Sequence, residues 1–490
     1  MMNHRFHSCR LVNRVAVSCL VLLGAASFAW GQDATSVPEV EPHADWTNAL
    51  KPEGTPGPEL TLASNGKTDY VILLPGQPTS QEDKAATDLA RWLAEMTGAE
   101  FPIVKEGGAP APSTVISIGQ TSLLSKSDPL PPEAYAIYAN DSALFLRGGD
   151  TRGVINAVYA LLEEDLGCRW YHRDSATIPD RPNLTFRPVV RTFAPVLEIR
   201  DPFYWDAFHV DWSLRNRTNA PNVPVPEEWG GRMYYASGYF VHTYNRLVPP
   251  SVYFEEHPEY YSVLNGKRVA RQLCVTNPDV VRIATEQVLE DLRKDPNGQL
   301  ISVSPNDGTG YCECERCMAL DEAEGTRCAS LLQFVNAIAD AIKDEFPRTK
   351  VSTLAYLDTI KPPKTVRPRD NVVMRICTDR HAWSHDFEFL TETQECQTAL
   401  KNWADIGAKI HIWDYTANFS HYSIPMPNMP IVSQNIRFLI NHNAKGIMLQ
   451  GAYQGPGTAR GPLRSWVWGK QLWDPSLNTR ELIRDFTYGF

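Results

Sequence analysis

Asn306 and Asp307 stand directly after Leu300-Ile301-Ser302-Val303-Ser304-Pro305, a run that reads as a buried strand. An amide and a carboxylate at that place suit cleavage of an N-acetylhexosaminide by the sugar's own 2-acetamido group. One group orients the attacking acetamide and a neighbouring acid protonates the leaving oxygen. An Asn-Asp-Gly turn, completed by Gly308, is the structural alternative. Other short apolar runs end in equally polar or aromatic residues: Arg200 before Asp201, His242 before Thr243, Asp414 between Trp413 and Tyr415, and Gln450 and Tyr453 around Gly451-Ala452. Rings stack on the apolar faces of pyranoses while carboxylates, amides and guanidinium groups take the hydroxyls. The expectation is a sugar pocket with Asn306, Asp307 and Asp414 as catalytic candidates and Arg200, His242, Trp413, Tyr415, Gln450 and Tyr453 as substrate-binding candidates. Each of them taken alone also fits rim packing or helix capping.

A ring of that kind has to be carried by strands that end at one rim. Eight short apolar runs follow residue 190: Val196 to Asp201, Gly238 to Tyr244, Arg271 to Thr276, Leu300 to Asp307, Lys350 to Tyr356, Asn371 to Cys377, Lys409 to Tyr415 and Gly446 to Tyr453. Helical patterns separate several of them, clearest where Leu331, Phe334, Val335, Ile338 and Ile342 recur at helical spacing. Strand then helix, repeated, argues for a parallel sheet, and eight strands are what a (β/α)8 barrel needs, with its site at the strands' C-terminal ends. No glycine-rich phosphate loop follows any run, which weighs against an open doubly wound sheet. Upstream, Leu60 to Leu62, Tyr70 to Leu74, Thr114 to Ile118, Ala134 to Ala139 and Ala143 to Arg147 read as strands, with a helix capped at Ser80 and a second starting at Asp150. The expected fold class is α/β: a (β/α)8 TIM-like barrel over 191–490, preceded by a small α/β accessory domain over 59–190. Trp466, Trp468 and Trp473 are expected to pack the last helix on the barrel rather than to form a glycan platform.

Composition narrows the function classes. A chain of 490 residues with net charge -10, 43% hydrophobic and 10% aromatic, lacks the basic footprint of a nucleic-acid binder and is too apolar to be disordered. Residues 1–31 carry Arg5, Arg10 and Arg14 without an acid, an apolar run from Val15 to Trp30 and the small-x-small pattern Ala29-Trp30-Gly31, and so read as a signal peptide. Residues 32–58 read as a leader. No later stretch approaches the roughly 20 apolar residues that span a bilayer. The expected location is exported, periplasmic or extracellular. Of ten cysteines, Cys312, Cys314, Cys317 and Cys328 are bunched. An oxidising compartment allows disulfides among them, the spacing C-x-C-x2-C also suits zinc, and free thiols are the third alternative; either staple would stiffen the loop beside Asp307. Nothing calls for a nucleotide, flavin or redox cofactor, and the expected partner is an oligosaccharide or glycan substrate.

Several longer strings sharpen this reading. Arg152-Gly153-Val154, Leu166-Gly167-Cys168-Arg169-Trp170-Tyr171, Phe240-Val241-His242-Thr243, Gln272-Leu273-Cys274-Val275-Thr276-Asn277-Pro278, Ser302 to Asp307, Tyr311-Cys312 and Ile412-Trp413-Asp414-Tyr415 make the chain similar to bacterial proteins of domain-of-unknown-function family 4838. That family includes endo-β-N-acetylglucosaminidases of glycoside hydrolase family 163. The first domain resembles the accessory domain that precedes family 20 hexosaminidase and α-glucuronidase barrels. The resemblance implies a secreted or periplasmic retaining glycoside hydrolase acting on N-glycan cores or related glycans. By position, Asn306 and Asp307 would be the acetamido-orienting and acid/base candidates and Asp414 a second pocket carboxylate. Where relatives carry acidic residues before the last helix, this chain has Thr458-Ala459-Arg460-Gly461-Pro462. That departure opens two alternatives: a glycosidase on a uronic-acid-containing or sulfated polysaccharide, and a barrel that binds glycan without cutting it. Residues 485–490 fall in a stretch that relatives continue, so a truncated C-terminus is expected.

Overall fold

Apolar runs between residues 55 and 193 resolve into nine short strands. The computed structural model describes residues 43–490, except 109–112, 125–127, 380, 382 and 389; the signal peptide read from the sequence and the leader up to residue 42 lie outside the described residues. In chain order the strands are β1 (Thr55–Pro56), β2 (Leu60–Ala63), β3 (Val71–Leu74), β4 (Ile103–Lys105), β5 (Val115–Ile118), β6 (Tyr135–Asn140), β7 (Ala143–Gly148), β8 (Leu184–Phe186) and β9 (Val189–Phe193). Seven of them form a mixed sheet in the order β1-β9-β6-β7-β5-β3-β4, and β2 pairs with β8 separately. The helix Ser80–Thr97 is capped by Thr79, one residue before the expected Ser80. The Thr79 hydroxyl accepts from the Glu82 N–H at 3.2 Å and the Glu82 carboxylate accepts from the Thr79 N–H at 2.8 Å, a reciprocal capping box. Gly98 ends the helix at φ 71°, where a Cβ would be strained.

The rest of the chain supplies β10 (Ile199–Asp201), β11 (Tyr261–Leu264), β12 (Lys267–Leu273), β13 (Leu300–Ser302), β14 (Lys350–Ala355), β15 (Val372–Cys377), β16 (Lys409–Tyr415) and β17 (Ala444–Gln450). Six of these form one parallel sheet, β10-β17-β16-β15-β14-β13, with helices between them. The architecture is therefore α/β, with a parallel half-barrel sheet consistent with a TIM-like barrel behind a mixed N-terminal sheet. Two of the eight expected runs are not strands of this sheet. The run Gly238 to Tyr244 follows the edge of β13 through bonds such as Ser302 N–H to Tyr239 O at 3.0 Å and Thr243 N–H to Ser304 O at 3.1 Å. It cannot extend regularly, because Gly238 (φ 79°) and His242 (φ 55°) both leave the β region. The run Arg271 to Thr276 instead continues β12, which pairs antiparallel with β11 around Asn265 (φ 50°) and Gly266 (φ 74°). That is a two-residue Asn-Gly hairpin turn, a strong local signal that the apolar count overlooked.

Register decides which side chains face the barrel interior. Asp201 pairs with Met448, Met448 with Trp413, and Trp413 with Cys377, so these four share the inner face. One row below lie Ile199, Gly446, His411 and Arg375. The opposite, helix-facing side carries Ile301, Val351, Ile376, Ile412 and Leu449, which join the main hydrophobic core with helix residues such as Leu331, Phe334 and Trp403. Trp466 and Trp468 are fully buried and Trp473 nearly so, as expected of a packing helix.

Ion pairs tie the N-terminal elements to the barrel. Glu163, fully buried, takes Lys470 at 2.5 Å and Arg217 at 2.7 Å, and Arg169 meets Asp485 at 2.8 Å. Each buried charge has its partner at hydrogen-bond distance, which is the condition under which burial is tolerated.

Candidate active site

The chain leaving β13 is held almost atom by atom. Ser304 Oγ accepts from the His242 N–H at 2.8 Å, and the Gln272 side chain clamps the Asn306 backbone, accepting from its N–H at 2.9 Å and donating to its carbonyl at 2.8 Å. The Asn306 amide donates to Asn245 Oδ1 at 2.9 Å and to the Arg271 carbonyl at 2.7 Å, and its oxygen accepts from the Asn245 N–H at 3.3 Å. Both amide hydrogens are thus spent on the protein. Asn306 fixes the loop, and the structure gives it no free donor for an acetamido group.

Asp307 is what that clamp presents. Its side chain is 73% exposed, accepts from the Tyr356 hydroxyl at 3.3 Å and lies 3.9 Å from His242 Nε2. Burial, then the nearby Asp307 and Asp379 carboxylates, push the Tyr356 hydroxyl well up, so it stays a protonated donor. His242 Nδ1 is 2.8 Å from the Pro305 carbonyl, which can only accept, so Nδ1 donates there and Nε2 is the nitrogen turned to Asp307. The left-handed backbone of His242 is the kind of local strain that recurs where a side chain must be aimed.

Aromatic rings line the same rim. Trp383 stacks on Tyr415 at 5.2 Å, and Phe419 meets Trp383 and Tyr415 edge-on at 5.7 Å. Trp413 donates its indole N–H to Gln450 Oε1 at 2.7 Å, and Tyr453 packs on Phe203 at 4.9 Å. Gly451 keeps this corner passable, because a Cβ there would sit 1.8 Å from the Tyr204 ring. Below the rim, the Arg375 guanidinium lies 4.3 Å from the Trp413 ring centroid and 4.5 Å from that of Phe240. Asp201 faces the same interior. Burial pushes its carboxyl up to about 7 against the pull of Arg375, and neither oxygen has a hydrogen-bond partner among the described residues.

Two expected residues are elsewhere. Arg200 points away from the barrel interior: it donates to the carbonyls of Arg217 (2.9 Å) and Leu197 (2.7 Å), pairs with Glu133 and lies over the Trp473 ring. It is a buried tie to the N-terminal elements, not a sugar ligand. Asp414 pairs in register with Leu449 on the helix-facing side, 2% exposed, accepting from the Thr378 hydroxyl at 2.6 Å and the Tyr415 N–H at 2.9 Å. Burial lifts it to about 6, but the sheet separates it from Asp307. Strand alternation explains both, since neighbours along a strand face opposite sides. The same rule points to what was overlooked: Asp201 next to Arg200, Arg375 within β15, Tyr356 at the end of β14, and Asp379 beyond β15. His242, Trp413, Tyr415, Gln450 and Tyr453 do gather at the rim with Asp307.

The cysteines regroup as well. Cys274, at the end of β12, joins Cys312, Cys314 and Cys317, their sulfurs all within 4.8 Å of one another. Cys328 is buried in its own helix and is not part of the group. At the opposite end of the barrel a cleft of about 450 Å³ is lined by residues such as Glu133, Glu198, Arg232 and Lys445. Burial raises Glu198, but His411 at 2.7 Å and Lys350 at 3.0 Å outweigh it and hold the carboxyl down at about 2. That end of a barrel serves stability in this architecture.

A parallel half-barrel sheet behind a mixed sheet is a fold that this chain shares with solved glycoside hydrolases. Flavobacterium johnsoniae chitobiase of family GH20 superposes with a TM-score of 0.53 at 12% identity, over 89% of this chain and 71% of that one. A β-N-acetylhexosaminidase from Bacteroides fragilis gives 0.50 at 12% identity, over 88% and 91%. A family GH115 4-O-methyl-α-glucuronidase with specificity for decorated arabinogalactans gives 0.53 at 13% identity, over 85% of this chain and 57% of its own length. At these identities the likeness is one of fold. The chain belongs to the family described as domain of unknown function DUF4838, whose pattern matches residues 170–490. No curated protein matches the sequence.

Proposed function

We propose that this protein is an exported glycoside hydrolase that cleaves β-linked N-acetylhexosamine in glycans by a retaining, substrate-assisted route. The observation that carries the reading is Asp307, presented at the strand C-termini between the Tyr356 hydroxyl and His242, at the end of the sheet that also carries the stacked Trp383 and Tyr415 rings. The hexosaminidase-like fold supports it. In this scheme a pyranose stacks on Trp383 and Tyr415, and its 2-acetamido oxygen bonds to C1 as the bond from C1 to the leaving oxygen breaks. Asp307 gives its proton to that oxygen and recovers one from the water that opens the cyclic intermediate. Asp379, whose charge is felt by both Tyr356 and Tyr415, accepts the acetamido N–H. Incubation of the protein with a panel of N-glycans and chitooligosaccharides, with products read by mass spectrometry, tests this. Cleavage next to N-acetylhexosamine that falls by about 10²-fold or more in Asp307→Asn is expected; unchanged turnover in that variant removes Asp307 from the mechanism.

A second reading, a glycosidase on a uronic-acid-containing or sulfated polysaccharide, is favoured by Arg375, a cation on the inner face of the barrel. Release of acidic oligosaccharides without action on N-acetylhexosaminides would select it. Saturable glycan binding with no product would select a barrel that binds without cutting.

A further inference from the structure

We infer that Cys274, Cys312, Cys314 and Cys317 form a structural zinc site that stiffens the loop presenting Asp307. The four sulfurs lie within 4.8 Å of one another, and Cys274 Sγ is 3.6 Å from Cys314 Sγ. Four thiolates about 2.3 Å from a central zinc are separated by roughly 3.8 Å, whereas a disulfide needs about 2.05 Å. The observed spacing is thus that of ligands around an ion. All four residues are uncrosslinked, three are buried and Cys314 is half-buried.

The surroundings are those of a thiolate cage. The Val263 N–H points at Cys312 Sγ at 3.4 Å, and the Thr276 hydroxyl lies 3.1 Å from Cys317 Sγ. Both can donate to a sulfur whose proton has left. The Arg268 guanidinium lies beside Cys274 and offsets the net negative charge that four thiolates leave around a divalent ion. Cys314 stands at the N-cap position of the helix Glu315–Glu324 and Cys317 in its first turn, where the positive end of the helix dipole favours anionic sulfur. Soft sulfur donors select zinc over the hard cations, and a closed four-thiolate set is structural rather than catalytic. Cys328, the fourth cysteine of the sequence cluster, has no place in this set.

The site adds to the bonds that already join the β11–β12 hairpin to the loop after Asp307, such as the Glu313 N–H to the Val263 carbonyl at 2.9 Å. Cys274 lies two residues after Gln272, whose side chain clamps Asn306, and Cys312 lies five residues after Asp307. One ion would therefore hold both the clamp and the far end of the loop. This inference concerns the metal and stands whatever the substrate proves to be.

Elemental analysis by plasma mass spectrometry of the intact purified protein, with no metal added, tests it directly. About one zinc per chain is expected in the wild type and in Cys328→Ser, falling below about a tenth in Cys312→Ser and Cys317→Ser. Exchange with cobalt should give the intense near-ultraviolet and visible bands of tetrahedral cobalt thiolate, a readout independent of turnover and available without any cysteine variant. Wild-type protein with no zinc overturns the proposal, whether its four thiols titrate freely or are locked in disulfides. So does stoichiometric iron in place of zinc, or zinc that is lost in Cys328→Ser but kept in Cys312→Ser.

Discussion

Asp307 depends on two neighbours, and they differ in what they offer. Tyr356 is a neutral donor, and His242 turns Nε2 toward Asp307 with its orientation set by the Pro305 carbonyl. Tyr356→Phe removes one hydrogen bond to a charged group, worth about 1.5–3 kcal/mol, so kcat should fall roughly 10- to 100-fold while the melting temperature changes little; steady-state kinetics beside a thermal melt would show it. Asp201 bears on stability instead. Its folded carboxyl titrates near 7 against an ordinary value of 3.8, so between those two pH values the native state holds a proton that the unfolded chain has released. Stability therefore falls as pH rises through that window and stays low above it, by an amount of order 4 kcal/mol at most. Asp201→Asn should flatten the dependence and gain most at pH 7–8, as urea melts from pH 4 to 8 would measure. A variant that melts with the wild-type pH dependence would mean that Asp201 is ionised or solvated in the fold.

Strand geometry is what sorts the remaining candidates. Along β16, Trp413 and Tyr415 face the interior while Asp414 turns to the helices, where Thr378 and the Tyr415 N–H hold it. Asp414→Asn should keep kcat/KM within about threefold, since a group across the sheet touches no reacting atom, and cost at most about 1–2 kcal/mol of stability. A large loss of kcat with the fold intact would show that Asp414 reaches the substrate after all. Most of the element pattern was legible in the sequence, because apolar periodicity reports burial directly: six of the eight runs are strands of the parallel sheet. The two exceptions have local causes, a pair of left-handed residues in one and an Asn-Gly hairpin turn in the other. The face on which each polar residue lies was not legible, because it follows only from strand register, and this is why Arg200 stood as the candidate where its neighbour Asp201 faces the interior.

At the scale of the molecule, the mixed sheet and the barrel are bonded through buried charges rather than through apolar contact alone. Lys470 and Glu163 are both fully buried, their atoms 2.5 and 2.6 Å apart, and Arg217 shares the same carboxylate. Removing one member leaves the others in an apolar setting, so Lys470→Met should destabilise the fold by about 3–5 kcal/mol, in the range found for broken buried pairs. Chemical denaturation would give the loss, and the kinetics of the molecules that remain folded should match the wild type. Arg200 belongs to the same layer of ties through Glu133, which is why its type and position looked functional while its role is to join the two parts.

The sequence by itself determined the α/β class, the strand and helix order of the parallel sheet, and the exit of β13 as the place where an acid is presented, because these follow from local periodicity and turn chemistry. Tertiary structure alone decided that Asn306 spends its amide on the loop, that Asp414 and Arg200 face away from the interior, and that Tyr356 and His242 converge on Asp307. It also brought Cys274 to the other three cysteines, across the 37 positions between Cys274 and Cys312, and left Cys328 out. Each of these depends on which segments distant in the chain come to lie side by side, and pairing across such distances leaves no mark on the spacing of residues within either one.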